Sequence, residues 1–327
     1  MGLCCWNLGP LRAILFVLEL TWMVQWSSGT PFIVQSLSSR YAIILGGYGP
    51  GYRELKDVEV VKHDRICKNA ISEVPTDPGR FLGDISGMAE YINNTGVLFC
   101  RHSTCWMLTV GPNTWKKVGG FQNRRDRAAS AAVDDTMVVL GGRDVDGLDI
   151  IGFEIFDLKS NSWVSKPEWN MAQGRYSFCA VPYNQTALLV IGGYTKDGAI
   201  SSVELLDTKS GRWEILEDLP RARYGHSCLL MEWAGREGVL VSGGALTGND
   251  VDFLDLKTGK WESFARLPFS TDGHKMVLVE GIPTVFSWER IDQFDGTKWI
   301  TLDQRLGNSR SAFTVTTIPG HLVPKCL

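Results

Sequence analysis

Short apolar runs that end in a pair of glycines recur along the chain. They are Ile43–Gly47, Val138–Gly142, Leu189–Gly193 and Leu240–Gly244. The last three pairs begin at Gly141, Gly192 and Gly243, a period of about 50 residues, and the interval from Gly46 to Gly141 is about twice as long. The spacing predicts a degenerate copy near residue 97, where Val97–Cys100 is an apolar run without glycines. Pro283–Ser287 is a last degenerate copy.

Two further marks repeat with the glycine pairs. An aspartate precedes a tryptophan by a fixed interval at Asp157/Trp163, Asp207/Trp213 and Asp255/Trp261; Thr109/Trp115 keeps this spacing and Asp295/Trp299 shortens it. An arginine opens a strand upstream of each apolar run, at Arg127, Arg175, Arg223 and Arg310. Each unit therefore predicts four short strands: one after the arginine, one ending at the glycines, one ending near the aspartate and one carrying the tryptophan. A four-stranded unit of about 50 residues is typical of a β-propeller blade.

These marks resemble the kelch repeat, in which an apolar strand, a glycine pair, an aspartate element and a spaced tryptophan follow one another. The resemblance covers residues 41–317 and is strongest in units three to five. Unit one lacks the tryptophan, and units two and six lack the glycine pair. It implies an all-β, six-bladed kelch-type propeller, in which glycine permits close strand approach near the axis and tryptophan packs between blades.

The two ends of the propeller predict how the ring closes. Residues 41–74 supply strands two to four of a first blade, and Arg310–Thr317 is a first strand with no unit after it. We expect this C-terminal strand to pair with the Tyr41–Gly47 strand, because closure removes the exposed sheet edges. Residues 318–327 then form a short tail.

The N-terminus predicts export. Residues 1–29 form a signal-peptide pattern, with the apolar run Ala13–Leu18 after Arg12 and the small residues Ser27–Gly29 before Thr30. Glu19 interrupts the apolar run and argues against a membrane-spanning helix, although retention of the segment as an anchor stays open. Residues 30–40 are a lead-in, and we expect a secreted, extracellular chain without a membrane span after cleavage. Asn93 and Asn184 begin glycosylation sequons.

Six cysteines remain beyond the predicted cleavage site. On the blade map Cys67 and Cys326 fall on the same face, where a disulfide would lock the closure. Cys100 and Cys105 flank one turn and predict a hairpin bridge. Cys179 and Cys228 lie on first strands of adjacent blades and are interpreted as buried free thiols.

Successive strands of a blade run in opposite directions, so the connections between them fall on two opposite faces of the ring. We number these connections by the strands they join. Both sequons fall in one–two turns, whereas the two–three turns and the four–one links share the opposite face, which we call the loop face. Loops on a rigid scaffold are where binding residues concentrate, and the kelch resemblance implies protein docking on this face. Our candidate binding residues are Tyr48, Tyr52, Arg53, Arg125, Arg143, Tyr194, Arg221 and Asn249. The tyrosines are either interface anchors or caps of their blades. The strand-opening arginines either form a central basic ring or satisfy carbonyls between blades.

Composition narrows the function. A net charge of −3 with 44% hydrophobic and 21% charged residues indicates a folded chain without the basic footprint of a nucleic-acid-binding protein. No metal-ligand spacing, cofactor motif or nucleophile elbow is found in the sequence. We therefore predict an extracellular, monomeric binding scaffold, without cofactor or metal, for a protein or glycan partner. The alternative is a sugar-modifying enzyme, since exported mutarotases resemble this chain in being six-bladed kelch rings; Arg175, Arg223 and His226 could supply its pore-centred acid and base.

Overall fold

Six four-stranded antiparallel sheets follow one another along the chain. The computed structural model describes residues 40–63, 65–75, 87–92, 95–101 and 103–323, all within one compact unit, Leu37–Leu327. The predicted signal peptide, Asn93 and Cys326 lie outside the described residues. Besides strands, the described residues form three single-turn 3-10 helices: Pro50–Tyr52, Pro167–Trp169 and Gly320–Leu322. None of these described turns has the length and apolar character needed to cross a bilayer.

Each sheet is one blade, and its strands are ordered from the inner to the outer edge. Blade 1 contains β26 (Thr314–Pro319), β1 (Arg40–Leu45), β2 (Val58–Val61) and β3 (Ile66–Lys68). Blade 2 contains β4 (Met88–Ile92), β5 (Gly96–Arg101), β6 (Thr104–Thr109) and β7 (Thr114–Val118). Blade 3 contains β8 (Ala129–Val133), β9 (Thr136–Leu140), β10 (Phe153–Asp157) and β11 (Ser162–Ser165).

The other three blades repeat this order. Blade 4 contains β12 (Cys179–Asn184), β13 (Ala187–Ile191), β16 (Val203–Asp207) and β17 (Arg212–Ile215), with a small hairpin, β14 (Tyr194–Thr195) and β15 (Gly198–Ala199), in its two–three turn. Blade 5 contains β18 (Ser227–Trp233), β19 (Arg236–Ser242), β20 (Val251–Asp255) and β21 (Lys260–Ser263). Blade 6 contains β22 (Lys275–Val279), β23 (Ile282–Ser287), β24 (Arg290–Phe294) and β25 (Trp299–Thr301). The degenerate apolar runs predicted in units two and six are thus second strands, β5 and β23.

The C-terminal strand closes the ring, as the sequence predicted. β26 is antiparallel to β1, with Arg40 opposite Pro319 and Leu45 opposite Thr314. The innermost strands β26, β4, β8, β12, β18 and β22 contact one another in that order, and β22 contacts β26 in turn. The all-β, six-bladed propeller expected from the repeat is confirmed.

The apolar core is divided among the blade interfaces. Within the described residues there are six buried clusters, and each joins two neighbouring blades. At the closing interface Ala42 and Ile44 of blade 1 pack with Phe286 and Ile291 of blade 6. A single blade exposes two apolar faces, so the sheets bury their surface only when they are stacked in the ring.

The repeated tryptophans connect adjacent blades through their indole N–H groups. Trp163 of blade 3 donates to the carbonyl of Gly119, which follows the last strand of blade 2, at 2.8 Å. Four other blades repeat this bond: Trp115 to Ser72 at 3.1 Å, Trp213 to Trp169 at 3.2 Å, Trp261 to Glu217 at 2.9 Å and Trp299 to Ala265 at 2.9 Å. The indole therefore packs against the neighbouring blade and also satisfies one of its backbone acceptors.

The glycine pairs lie against the link that enters the next blade. The backbone N–H of Gly142 donates to the carbonyl of Arg175 at 2.8 Å, and Gly193 bonds Arg223 in the same way at 2.9 Å. A Cβ at Gly141 would lie 2.6 Å from the Phe178 ring of the following blade. Glycine is required there because the following blade occupies the space of a side chain.

Two disulfides join described residues. Cys100 and Cys105 are bonded, as predicted. Cys179 and Cys228 are also bonded, so their interpretation as free thiols is wrong. The reason is that β12 and β18 are neighbours in the inner ring, which brings the two Cα atoms to 6.0 Å. Cys67 is disulfide-bonded as well, but its expected partner Cys326 lies outside the described residues, and that pairing stays a prediction.

Candidate functional site

Three of the strand-opening arginines are buried inside the propeller. Arg175, Arg223 and Arg310 are 2%, 0% and 0% exposed. Each donates to a carboxylate on the third strand of its own blade, respectively Glu204, Asp252 and Glu59. Each also donates to the carbonyl of the first glycine of the pair, Gly192, Gly243 or Gly46. These three arginines satisfy buried acceptors and do not form a basic ring.

In blade 3 this position belongs to Arg125 and not to Arg127. Arg125 donates to the carbonyls of Gly141 at 3.1 Å and Gly152 at 3.0 Å, and it pairs with Glu154 at 2.5 Å. Its expected place among the exposed loop-face residues is therefore corrected: Arg125 is 2% exposed. The backbone shows that Arg125 corresponds to Arg175. In blade 4 the residue two positions after Arg175 is Ser177, which has a left-handed φ of 52°. In blade 3 the matching left-handed residue is Arg127, with φ 50°, and it lies two positions after Arg125.

The residues considered for a pore-centred site do not come together as an acid and base. His226 is buried, and its Nε2 lies 3.1 Å from the carbonyl oxygen of Ile191. Burial, with the nearby Arg223 charge, lowers the pKa of His226 to about 3, so the ring is neutral at physiological pH. Since Arg175 and Arg223 are held by carboxylates, these three side chains serve the packing of the blades.

A different titratable group lies among the innermost strands. Glu90 on β4 accepts a hydrogen bond from the Ser130 hydroxyl of β8 at 2.8 Å. Burial raises the pKa of Glu90 to about 7, opposed by that hydrogen bond and by the Lys275 ammonium on β22. Burial also lowers the pKa of Lys275. Sequence reasoning did not single out this group, because its burial depends on how three separate blades meet.

A tyrosine stack runs across the loop face from blade 3 to blade 5. The rings of Tyr176 and Tyr194 have centroids 5.4 Å apart, and those of Tyr194 and Tyr224 are 4.9 Å apart. The Arg143 guanidinium lies over the Tyr176 ring at 4.7 Å from its centroid. All four side chains are half-buried. We use the name tyrosine stack for Arg143, Tyr176, Tyr194 and Tyr224.

Backbone pairing holds the tyrosine stack in place. Tyr176 and Tyr194 exchange two N–H···O bonds, of 3.0 and 2.9 Å. The Arg143 side chain donates to the Gly147 carbonyl at 2.6 Å and lies 3.5 Å from the Asp149 carboxylate. The stack is thus fixed before any partner binds, which lowers the entropic cost of recognition.

Comparison with known proteins agrees with the repeat geometry. The family model for the KLHDC2/KLHL20/DRC7 Kelch-repeats domain matches residues 92–287, more than half of the chain. This chain belongs to the kelch-repeat family. An F-box/kelch-repeat protein of Arabidopsis thaliana is 26% identical over 45% of this chain and 37% of its own length. Kelch-like protein 36 of Rattus norvegicus is 26% identical over 43% of this chain and 22% of its own length. Kelch-like protein 15 of Homo sapiens is 25% identical over 37% of this chain and 20% of its own length. The matches therefore span about a third of these relatives or less.

Blade 1 of the kelch propeller carries three of the predicted loop-face residues. Tyr48 is half-buried, and its backbone forms isolated β-bridges with Ser311 and Glu54. The Arg101 guanidinium lies over the Tyr48 ring, with its Cζ 4.8 Å from the ring centroid. Tyr52 and Arg53 lie at the tip of the same turn, and Tyr52 is 81% exposed. Tyr48 therefore caps its blade, whereas Tyr52 is free to contact a partner.

Blade 5 carries two more of the predicted loop-face residues, Arg221 and Asn249. The exposed Arg221 pairs with Asp250 of the two–three turn, and the Arg266 Nε lies 3.1 Å from the same carboxylate. Asn249 is half-buried and donates from Nδ2 to the Leu267 carbonyl at 2.9 Å. Asn249 thus fastens the two–three turn to the next link, and Arg221 remains accessible.

Several loop-face residues were missed by the sequence reasoning. Tyr176 and Tyr224 directly follow Arg175 and Arg223, so the repeated Arg-Tyr pair was an available signal. Leu246 and Trp288 are exposed at turn tips where no repeat mark pointed to them: their exposed fractions are 71% and 57%. Among the described residues no group of three or more histidine, cysteine, aspartate or glutamate side chains is arranged to hold a metal ion.

Asn184 lies on the opposite face. It is exposed at the end of β12, next to the turn into β13, and its Oδ1 accepts a hydrogen bond from the backbone N–H of Thr186 at 2.8 Å. The Asn184 side chain is accessible, and its glycosylation stays a prediction.

Proposed function

We propose that this kelch propeller is an extracellular binding scaffold that docks a protein partner on its loop face. The observation that carries the proposal is the tyrosine stack, in which three aromatic rings and one guanidinium from three successive blades form a continuous half-exposed surface. Tyrosine and arginine are enriched among the residues that dominate binding energy at protein interfaces, because they combine apolar area with hydrogen-bonding groups.

The location outside the cell is supported by chemistry in the sequence and in the structure. The bridges Cys100–Cys105 and Cys179–Cys228 are typical of proteins that fold in an oxidising compartment. The signal-peptide pattern in residues 1–29 and the two sequons agree with the same compartment. Expression of the full chain in animal cells tests this part. We expect it in the medium, beginning near Thr30 and carrying glycosidase-sensitive mass at Asn184; retention in the cytosol would contradict it.

The docking surface is tested separately by proximity labelling on living cells with the secreted chain. The loop-face variant combines Arg143→Ala with Tyr194→Ala, and the matched control combines Asn184→Gln with Lys209→Ala on the opposite face. Because these side chains are at least partly exposed, both variants are expected to remain folded, which circular dichroism checks. Proteins labelled by the wild type and the control, but not by the loop-face variant, are the expected partners. Equal labelling by all three chains would refute docking on this face.

A protein partner is favoured over a glycan because the tyrosine stack combines three aromatic rings with a guanidinium, a composition enriched at protein interfaces. The small polar cavity of about 170 Å³ lined by Asp57, Glu59, Lys68 and Asn308 lies beside the buried Arg310 pair. Two carboxylates on its wall do not suit an acidic sugar. The same labelling experiment with glycosidase-treated cells distinguishes the two: loss of labelling would indicate a glycan.

A further inference from the structure

The two–three turns of three consecutive blades each present a large apolar side chain in the left-handed backbone region to solvent. Tyr52 of blade 1, Leu246 of blade 5 and Trp288 of blade 6 are 81%, 71% and 57% exposed. Blades 5, 6 and 1 follow one another across the closure of the ring. We call these three residues the apolar arc. Exposed apolar side chains that recur on one face of a folded protein are typical of an interaction site.

The backbone at these positions is unfavourable for the residues that occupy it. Tyr52, Leu246 and Trp288 have φ angles of 57°, 75° and 57°, in the left-handed region. A side chain with a Cβ in this region costs on the order of 1 kcal/mol relative to glycine. In the two–three turns of blades 3 and 4 the chain places Gly147 and Gly198 at positive φ. The apolar arc therefore keeps bulky residues where glycine would stabilise the turn, and more than half of each residue is exposed among the described residues.

A pair of arginines borders the apolar arc at blade 5. Arg221 and Arg266 enter from the links on either side of the Leu246 turn and converge on the single carboxylate of Asp250. The Asp250 side chain is 12% exposed, whereas those of Arg221 and Arg266 are 57% and 71% exposed. Two cations on one anion leave a net positive charge. Since Arg266 contacts Asp250 through Nε, this ion pair does not use the two Nη groups of its guanidinium, and such a planar pair of donors suits a carboxylate.

Carboxylates lie in the middle part of the arc, at blade 6. Glu289 is half-buried next to Trp288, and Asp272 is exposed in the link that enters blade 6; both disfavour an acidic residue of a partner there. Positive charge therefore lies at blade 5, on Arg221 and Arg266, and at blade 1, where the exposed Arg53 follows Tyr52.

We propose that the apolar arc binds an extended protein segment that places an acidic residue on Arg221 and Arg266 and apolar side chains on Leu246, Trp288 and Tyr52. This inference rests on the proposed function, since it names the partner chemistry for part of the loop face. Apolar contact supplies most of the affinity, and the arginine pair supplies orientation and a salt-dependent association rate.

The probe is a display library of random peptides, selected on the purified full chain and followed by fluorescence anisotropy with the selected peptides. We expect sequences with aspartate or glutamate within a few residues of leucine, phenylalanine or tryptophan. The double variant Arg221→Met/Arg266→Met should weaken their binding at least 10-fold and reduce its salt dependence, and Leu246→Ser/Trp288→Ser should weaken it at least 10-fold. Leu148→Ser is the matched control, because Leu148 is 65% exposed on the loop face at blade 3.

The outcomes separate this inference from the proposed function. Peptides that lose binding in Leu148→Ser or Tyr194→Ala, but not in the arc variants, would overturn the apolar arc and leave docking on the loop face intact. Binding that is indifferent to every loop-face variant would overturn both. Concentration-dependent dimerisation that disappears in Leu246→Ser/Trp288→Ser would overturn the acidic segment in favour of a second copy of the chain. Unchanged thermal unfolding of each variant excludes misfolding as the cause.

Discussion

The Nη2 atom of Arg125 lies 2.5 Å from Oε1 of Glu154, and both side chains are 1% exposed. Arg127, two residues later, is 42% exposed. Removal of one partner of a buried ion pair leaves the other charge uncompensated, which costs about 3–5 kcal/mol. We expect Arg125→Ala to lower the free energy of unfolding by that amount and Arg127→Ala by less than about 0.5 kcal/mol. Urea unfolding of the two variants checks this, and equal midpoints would contradict the assignment of Arg125 as the buried member of the repeat.

The indole bonds between blades give a second prediction. Trp163→Phe keeps an aromatic ring but leaves the Gly119 carbonyl without the N–H that lies 2.8 Å away. We expect a loss of about 0.5–1.5 kcal/mol, the net contribution of a hydrogen bond, because Gly119 is only half-buried. Trp233 is the matched control, because it packs on Phe253 and Phe264 and its indole makes no hydrogen bond within the described residues. A larger loss in Trp233→Phe than in Trp163→Phe would indicate that ring packing, and not the hydrogen bond, connects the blades.

The Cys179–Cys228 bridge gives a third prediction, which concerns the inner ring. The bond closes a loop of 49 residues, for which the chain-entropy model gives about 4 kcal/mol of stabilisation. The double substitution Cys179→Ser/Cys228→Ser should therefore lower the unfolding midpoint strongly, whereas Cys100→Ser/Cys105→Ser, which opens a separation of only 5 residues, should lower it less. Non-reducing peptide mapping is the direct check: recovery of Cys179 or Cys228 as a free thiol would disprove the bridge.

Glu90 gives a prediction of pH dependence. Burial raises its pKa to about 7 in the folded chain, so the folded state binds more protons than the unfolded state between about pH 4.5 and pH 7. Its contribution to stability is complete below this window and is lost as the pH rises through it. Relative to the wild type, the free energy of unfolding of Glu90→Gln should therefore increase by on the order of 1–3 kcal/mol from pH 5 to pH 8. Unfolding at the two pH values measures the difference; a relative loss at pH 8 would mean that the Lys275 ammonium holds Glu90 ionised.

The architecture was predictable from the sequence because its signals are local and repeated. The glycine pairs, the spaced tryptophans and the unmatched strand near Arg310 together indicated six blades and their closure. The Cys179–Cys228 bond was not predictable in this way, since the distance between β12 and β18 is set by the curvature of the ring. Arg125 was misplaced because two arginines stand in the same link and only the backbone turn at Arg127 distinguishes them.

The site was less predictable than the fold. Tyr194 and Arg143 lie in the tyrosine stack, Tyr52 lies in the apolar arc and Arg221 lies beside it, so four of the candidate residues belong to these surfaces. Tyr48 and Asn249 instead hold their own turns in place. Leu246 and Trp288 were not foreseen, because a single exposed apolar residue in a turn has no periodicity. Their significance depends on the order of blades 5, 6 and 1 around the ring.

The pairing of β26 with β1 also determines the order in which the protein can mature. The strand that begins at Arg40 is translated before the other described strands, yet its inner edge has no partner until residues 314–319 have been translated. All strands of blades 2 to 6 are translated before β26, so blade 1 is completed last. A stop codon before Thr314 would therefore yield an open, aggregation-prone array that the cell retains and degrades.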